Sequence, residues 1–83
     1  LSPIYPNPSN GRVSIEFEIG FATHILLQVV SLDAKQTYTL LNKVHLPGKY
    51  KYDWDGSHLP NGQYLIWLDN DLAPVTQRFM INK

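Results

Sequence analysis

The chain has 83 residues, with seven basic and seven acidic side chains, a formal net charge of zero and no cysteine. This length predicts a single domain, and the absence of a basic stripe argues against nucleic acid or an anionic membrane surface as a partner. Without cysteine, neither a disulfide framework nor a thiolate metal site is available.

Two further features bear on where the chain works. No apolar run approaches the ~20 residues that a membrane-spanning helix needs, and no signal peptide is visible. The first residue is Leu1 rather than Met, so we interpret the chain as a piece of a longer protein, with room for an export signal upstream.

The chain opens with a proline-rich lead-in, residues 1–11. Proline fixes φ and removes an amide donor, so we expect an extended segment that ends in a turn at Ser9, Asn10 and Gly11. Ile4 and Tyr5 are expected to pin this segment to the rest of the domain.

Three predicted strands follow, at residues 12–19, 24–32 and 36–41. The first alternates strictly between apolar and polar residues, as a half-buried strand does. The second is a β-branched run, typical of a strand buried on one face or nearly on both. The residues of these two strands that are expected to face inward are Val13, Ile15, Phe17, Ile19, Ile25, Leu27 and Val29. Residues 42–48 are predicted to form a loop.

An aromatic stretch, residues 50–68, is predicted to form a hairpin of two strands joined by a tight polar loop. In each strand the large apolar side chains fall at every second position and therefore share one face. These residues are Tyr50, Tyr52 and Trp54 in the first strand and Tyr64, Ile66 and Leu68 in the second. Residues 75–81 form the last predicted strand.

Six or seven short strands with turn signals between them and no helical period predict an all-β fold. We expect an antiparallel immunoglobulin-like β-sandwich of about seven short strands. Residues 1–83 are expected to form it as one domain.

The histidine and serine residues do not form a pattern that is typical of a catalytic or metal site. His24, His45 and His58 lack metal-ligand spacing and are interpreted as surface residues at strand edges or in loops. Ser57 and His58 are neighbours in a predicted loop, without the placed third partner of a hydrolytic triad. We therefore predict a non-catalytic chain with no cofactor and no metal.

Acidic pairs lie beside two predicted turns, Asp53 with Asp55 and Asp69 with Asp71. Aspartate is an ordinary turn residue, and we interpret both pairs in this way. Oxygen ligands at alternate loop positions leave a Ca²⁺ site as the alternative.

The two tryptophans have different expected roles. Trp54 is interpreted as a core residue between the sheets. Trp67 lies on the opposite strand face from Tyr64 and Ile66, which makes it the candidate exposed aromatic for binding carbohydrate.

Short motifs occur in a characteristic order along the chain. They are YPNP at 5–8, PG at 47–48, WDG at 54–56, LPNGQY at 59–64 and RFMINK at 78–83. In this order they resemble the type A C-terminal sorting domain of cargo proteins of the type IX (Por) secretion system of Bacteroidetes. The residues that carry the resemblance are Tyr5, Pro6, Asn7, Pro8, Gly48, Trp54, Gly56, Pro60, Gly62 and Tyr64.

The resemblance implies an immunoglobulin-like targeting module at the C-terminus of an exported protein. Its implied partners are the outer-membrane translocon, a sortase-like peptidase and the upstream cargo domain. The implied location is the cell surface or the medium, reached through the periplasm and outer membrane. Because the last strand and basic end matter for recognition in such domains, the candidate recognition residues are Arg78, Phe79, Ile81 and Lys83.

One motif of the family is altered. A V-Y-D-x-x-G turn often follows the second long strand, but here the matching residues are Val29, Val30, Ser31 and Ala34. The immunoglobulin-like domain of flagellar hook-capping proteins has a similar start and closing strand. This leaves an alternative function open, an accessory carbohydrate- or protein-binding module, or a spacer, of a secreted multidomain enzyme.

Overall fold

Six β-strands build the domain. They are β1 (Arg12–Ile19), β2 (Thr23–Ser31), β3 (Thr37–His45), β4 (Gly48–Asp55), β5 (Gly62–Asp69) and β6 (Val75–Ile81). The computed structural model describes residues 1–8, 10–33 and 35–83, and in these ranges there is no helix long and apolar enough to cross a membrane. The bounds predicted for the first and last strands are confirmed.

The strands form two antiparallel sheets of unequal width. One sheet has two strands in the order β1-β4, and the other has four in the order β3-β2-β5-β6. The sheets face each other through their apolar sides, so the predicted immunoglobulin-like sandwich is confirmed. About seven strands were expected, and the described residues form six.

The core lies between the two sheets and follows the alternation of the sequence. All seven side chains predicted to face inward from β1 and β2 are buried. The other buried apolar residues are Ile4, Leu59, Tyr64, Ile66, Leu68, Phe79 and Ile81. The lead-in and the loop before β5 therefore contribute to the core as well as the strands.

The predicted hairpin at residues 50–68 is wrong. β4 pairs with β1, whereas β5 pairs with β2 and β6, so residues 56–61 cross from one sheet to the other. The physical reason is that β4 and β5 each have one apolar face. A sandwich needs an apolar face on both of its sheets, and the apolar face of β4 covers the facing sheet at β3, where Trp54 lies 6.3 Å from the ring of Tyr38.

β3 is longer than predicted, because it continues to His45 through part of the predicted loop. An irregularity in its pairing opposite Leu27 and Gln28 shifts the register, so the alternation is lost in the sequence there. His45 is buried rather than on the surface, since the rings of Phe17 and Tyr50 pack against it. Two residues named in the sequence predictions, Ser9 and Ala34, lie outside the described residues.

Candidate functional site

Most of the sequence motifs meet at one end of the sandwich. β1 and β5 begin at this end, and β4 and β6 finish there, because their antiparallel registers place Arg12 opposite Asp55 and Gly62 opposite Ile81. We call this the motif end, formed by residues 5–8, 10–12, 55–64 and 80–83. Gly48 is the exception, since it begins β4 at the opposite end.

Two glycines allow the chain segments at the motif end to touch. The amide of Gly56 donates to the carbonyl oxygen of Gly11 at 2.8 Å. Gly11 has a φ of 111°, and a Cβ there would lie 2.5 Å from the Cα of Ser57. A Cβ on Gly56 would lie 2.5 Å from the ring of Trp54. The WDG motif therefore keeps space for a tryptophan ring over a bare backbone.

The LPNGQY motif forms a self-closing turn. Its Leu59 is buried, and the hydroxyl of Tyr64 donates to the carbonyl oxygen of Pro60 at 2.7 Å. The Tyr64 ring stacks on Phe79 of β6, with centroids 5.7 Å apart. Burial raises the pKa of Tyr64, so the phenol stays protonated as a hydrogen-bond donor.

The last residue is held against this turn. The amide of Lys83 donates to Oδ1 of Asn61 at 3.0 Å, and its ammonium group donates to the carbonyl oxygen of Leu59. The predicted recognition residue Lys83 is thus fixed in place by both its backbone and its side chain.

The lead-in runs along one side of the sandwich, between β1 and β6. The carbonyl oxygen of Tyr5 accepts from the amide of Ser14 at 2.8 Å, and the amide of Ser2 donates to the carbonyl oxygen of Glu16 at 3.0 Å. Oδ1 of Asn7 accepts from the amide of Met80 at 3.0 Å. We call this side, with the lead-in on β1 and β6, the closed flank. The YPNP motif therefore joins the first strand to the last.

The four candidate recognition residues are placed differently. Phe79 and Ile81 are each 1% exposed and belong to the core, whereas Arg78 is exposed on the outer face of β6. The amide of Met80 points away from β5, and by the alternation of antiparallel pairing the peptide group of Arg78 points the same way. A partner of the folded domain therefore meets Arg78 and Met80, with Phe79 and Ile81 holding the strand beneath them.

The tryptophans also lie in different environments. Trp54 is partly buried, packs on the core and lies 6.3 Å from the ring of Tyr38. Trp67 is partly buried on the outer face of the four-stranded sheet, between Gln28 of β2 and Thr76 of β6.

One aspartate of each acidic pair accepts a bond in a local turn, whereas Asp53 lies within β4 and accepts from the hydroxyl of Ser14 across the sheet. Oδ1 of Asp55 accepts from the amide of Ser57 at 3.0 Å, and Oδ1 of Asp69 accepts from the amide of Asp71 at 3.0 Å. Asp71 has a φ of 67°, which aspartate tolerates in turns. Among the described residues, no group of three or more metal-binding side chains is arranged to hold an ion.

Sequence reasoning missed the roles of Asn7 and Asn61. Both side chains accept from backbone amides at the C-terminal end of the chain, across 73 and 22 residues of sequence. The residue type was the only sequence signal for these bonds, since an asparagine side chain beside proline often bonds to nearby backbone groups. That signal points to local turns, however, and not to a partner so far along the chain.

Comparison with known families gives a match over nearly the whole chain. The family model for the secretion system C-terminal sorting domain matches residues 3–82. A comparison with curated proteins gives no significant match. The match begins in the lead-in and ends one residue before Lys83, so it includes all six strands and the motif end except Lys83. The chain therefore belongs to the family of C-terminal sorting domains of the type IX secretion system.

Proposed function

We propose that the type IX outer-membrane translocon recognises this domain in its folded form, after the parent protein has reached the periplasm. The observation that carries the proposal is the hydrogen bond from the Met80 amide to Asn7. It joins the first family motif to the last strand, so the outer side of β6 has its native shape only when the whole domain is folded. The extent of the family match, residues 3–82, supports the same view.

The recognition surface in this proposal is the outer side of β6. Arg78 supplies an exposed guanidinium group, and Met80 lies beside it on the same face. The peptide groups of Thr76 and Arg78 lie on the free edge of the strand, where a receptor strand can add to the sheet. After transport, a sortase-like peptidase removes the domain, and the cargo is joined to anionic lipopolysaccharide or released.

A fusion experiment tests this function. A fluorescent protein exported to the periplasm carries residues 1–83 and an upstream linker at its C-terminus. It is expressed in a host with a working type IX system and in a translocon-deficient strain. Fluorescence on the surface or in the medium of the competent host alone supports the proposal. Fluorescence held in the periplasm of both strains contradicts it.

Single substitutions then locate the recognition surface. Arg78→Ala is expected to hold the fusion in the periplasm, whereas Lys35→Ala, which removes one exposed cation elsewhere, is expected to leave delivery unchanged. Truncation before Phe79 is a poor test, because it removes two core side chains and is expected to unfold the domain. Normal delivery of the Arg78→Ala fusion would contradict a role for this arginine.

A second candidate function rests on Trp67. A cross-strand row on the outer face of the four-stranded sheet places Thr39, Gln28, Trp67 and Thr76 side by side, with the Gln28 amide donating to the Thr39 hydroxyl at 3.2 Å. An aromatic ring flanked by hydrogen-bonding side chains suits a sugar ring.

In that case Trp67→Ala should abolish retention by polysaccharide in affinity gels with little change in melting temperature. Trp54→Ala is the matched control, since it removes the same ring from the core side and should lower the melting temperature. Unchanged retention of the Trp67→Ala variant would leave the domain without this function.

A further inference from the structure

The side of the sandwich opposite the lead-in has an uncovered strand edge. β4 pairs with β1 on one edge, and within the described residues no strand pairs with its other edge. Across the core, the rings of β4 contact β3 of the facing sheet, since the ring centroids of Tyr50 and His45 lie 4.9 Å apart and those of Trp54 and Tyr38 lie 6.3 Å apart. We call this side, with the free edge of β4 and the inner face of β3, the open flank.

The hydrogen-bonding groups on this edge can be assigned from the pairing of β4 with β1. The amide of Gly56 donates to Gly11, which makes these two residues a hydrogen-bonded pair. In an antiparallel pair, hydrogen-bonded and non-hydrogen-bonded residues alternate along each strand. The N–H and C=O groups of Tyr50, Tyr52 and Trp54 therefore point toward β1. The N–H and C=O groups of Lys49, Lys51 and Asp53 point to the free edge. On β1, the corresponding outward groups of Ser14 and Glu16 are bonded by the lead-in.

An apolar groove runs beside the free edge. Its cavity of about 360 Å³ is lined by aromatic and aliphatic side chains of both sheets, among them Leu41, Tyr50 and Tyr52. Val44 and Leu46, at its outer rim, are 66% and 69% exposed. The groove thus has the form needed to receive every second side chain of an added strand.

The charges at the groove have one sign. Lys43 and Lys51 contribute to its lining, and no carboxylate does. The nearest acidic group on the strand, Asp53, accepts from the hydroxyl of Ser14 at 2.6 Å and lies 4.0 Å from Lys51. A carboxylate on an added strand, placed opposite Lys49 or Lys51, would meet a lysine on the same face of the sheet.

We propose that the open flank binds an extended segment of a partner protein, with alternating apolar and acidic residues, as a third strand on β4. The apolar residues enter the groove, the acidic residues lie opposite Lys49 and Lys51, and the backbone pairs with the outward groups of β4. β1 already shows this chemistry on the other edge, where Glu16 lies opposite Lys51 and Glu18 opposite Lys49. The inference does not depend on the sorting function.

Amide exchange with a peptide probe tests the proposal. The probe is a synthetic peptide with the sequence of residues 13–19, VSIEFEI, and the control peptide has lysine in place of both glutamates. The VSIEFEI peptide is expected to slow exchange of the Lys49, Lys51 and Asp53 amides by about tenfold or more, because they become strand-paired. The lysine peptide is expected to bind about threefold to tenfold more weakly.

Two variants separate backbone pairing from charge. Lys51→Ala and Lys51→Pro both remove the ammonium group, but only proline removes the outward amide, and this amide has no bond to β1 to lose. Binding by Lys51→Pro is therefore expected to be weaker than by Lys51→Ala, with the pairing of β1 and β4 kept in both. Equal binding by the two variants would overturn strand addition.

Other outcomes also overturn the proposal. The proposal fails if millimolar peptide protects none of the three amides, or if it protects only the amides of Thr76 and Arg78. It also fails if the peptide replaces β1 in the sheet. The last is recognised because the Lys49, Lys51 and Asp53 amides would then stay unprotected. Dimerisation of the free domain that protects the same amides would assign the open flank to a second copy. Protection in a longer parent chain without peptide would assign it to an upstream segment.

Discussion

The closed and open flanks of this sandwich each contain a strand edge with outward peptide groups, and they differ in whether another segment covers that edge. Both have a strand of the narrow sheet whose outer peptide groups lack a partner within that sheet. On the closed flank, the lead-in bonds to β1 through Ser2 and Tyr5 and to β6 through Asn7. On the open flank, β4 keeps its free edge beside a groove of half-buried aromatic rings.

The proline content of the lead-in explains why it covers an edge without making another. A strand added to β1 normally presents its own outer row of donors and acceptors, which can recruit further strands. Pro3, Pro6 and Pro8 have no amide hydrogen, so the lead-in has few donors to present. The lead-in therefore closes the edge of β1 against further pairing, whereas the edge of β4 and the peptide groups of Thr76 and Arg78 on β6 remain available for it.

The largest expected effect comes from the core beneath β6, where a substitution tests whether the closed flank is packed more tightly than the open flank. Phe79→Ala is expected to cost about 3–5 kcal/mol of unfolding free energy, because it empties a fully buried site, and a small domain has only about 5–15 kcal/mol in total. Urea unfolding followed by tryptophan fluorescence measures the loss. Tyr52→Ala on the open flank is the matched control and should cost clearly less, since its ring is only partly buried. Equal losses would mean that the open flank is packed as tightly as the closed one.

The lead-in is expected to be part of the cooperative fold. Ile4 is 4% exposed and packs in the core, so Ile4→Ala should cost about 2–4 kcal/mol. Leu46→Ala removes an exposed aliphatic side chain at the rim of the open flank and should change stability by about 0.5 kcal/mol or less. Thermal unfolding of both variants provides the comparison. An Ile4→Ala domain as stable as the wild type would show that the lead-in adds nothing to the core.

The alternation of apolar residues was sufficient to predict much of this fold. It located β1 and β6 and identified the inward side chains of β2, because a half-buried strand has no other simple pattern. It failed at β3, where a register shift breaks the period, and at residues 50–68, where two well-formed strands lie in different sheets. Alternation marks which face is buried but not which strand lies alongside.

The recognition surface was less predictable for a related reason. The motifs were visible in the sequence, yet the meeting of YPNP with β6 depends on an asparagine side chain that reaches across 73 residues. Local sequence rules carry no information about such a partner. In the same way, Phe79 and Arg78 are neighbours in one basic, aromatic tail, and only the pairing of β6 with β5 separates the buried residue from the exposed one.

Asn7 provides the next test of how the lead-in is held on the closed flank. Asn7→Ala removes the acceptor for the Met80 amide and should cost about 0.5–1.5 kcal/mol, with faster exchange of that amide. Asn7→Asp keeps an acceptor oxygen at the same place and should retain slow exchange. Hydrogen exchange followed by NMR distinguishes the two variants. If the Met80 amide stays protected in Asn7→Ala, the closed flank is held by the remaining lead-in contacts alone.

The smallest expected effect concerns how β4 is held to β1 at the motif end. Ser57 lowers the pKa of Asp55 below its ordinary value of 3.8 through its hydroxyl and its amide, and the charge of Arg12, at 3.6 Å, adds to the shift. A carboxylate with a lowered folded pKa stabilises the domain above the unfolded pKa, and this contribution is lost as the pH falls through the folded value.

Asp55→Asn should therefore be slightly less stable than the wild type at pH 7, and the difference should shrink as the pH falls toward 2. Because Asp55 is exposed, we expect salt to reduce the difference. Urea midpoints of both proteins at the two pH values measure it, with Asp53→Asn as the control for an exposed aspartate on the same strand. A gap that persists at low pH would mean that the amide itself disturbs the turn, and that β4 is held to β1 by its backbone pairing without help from this charge.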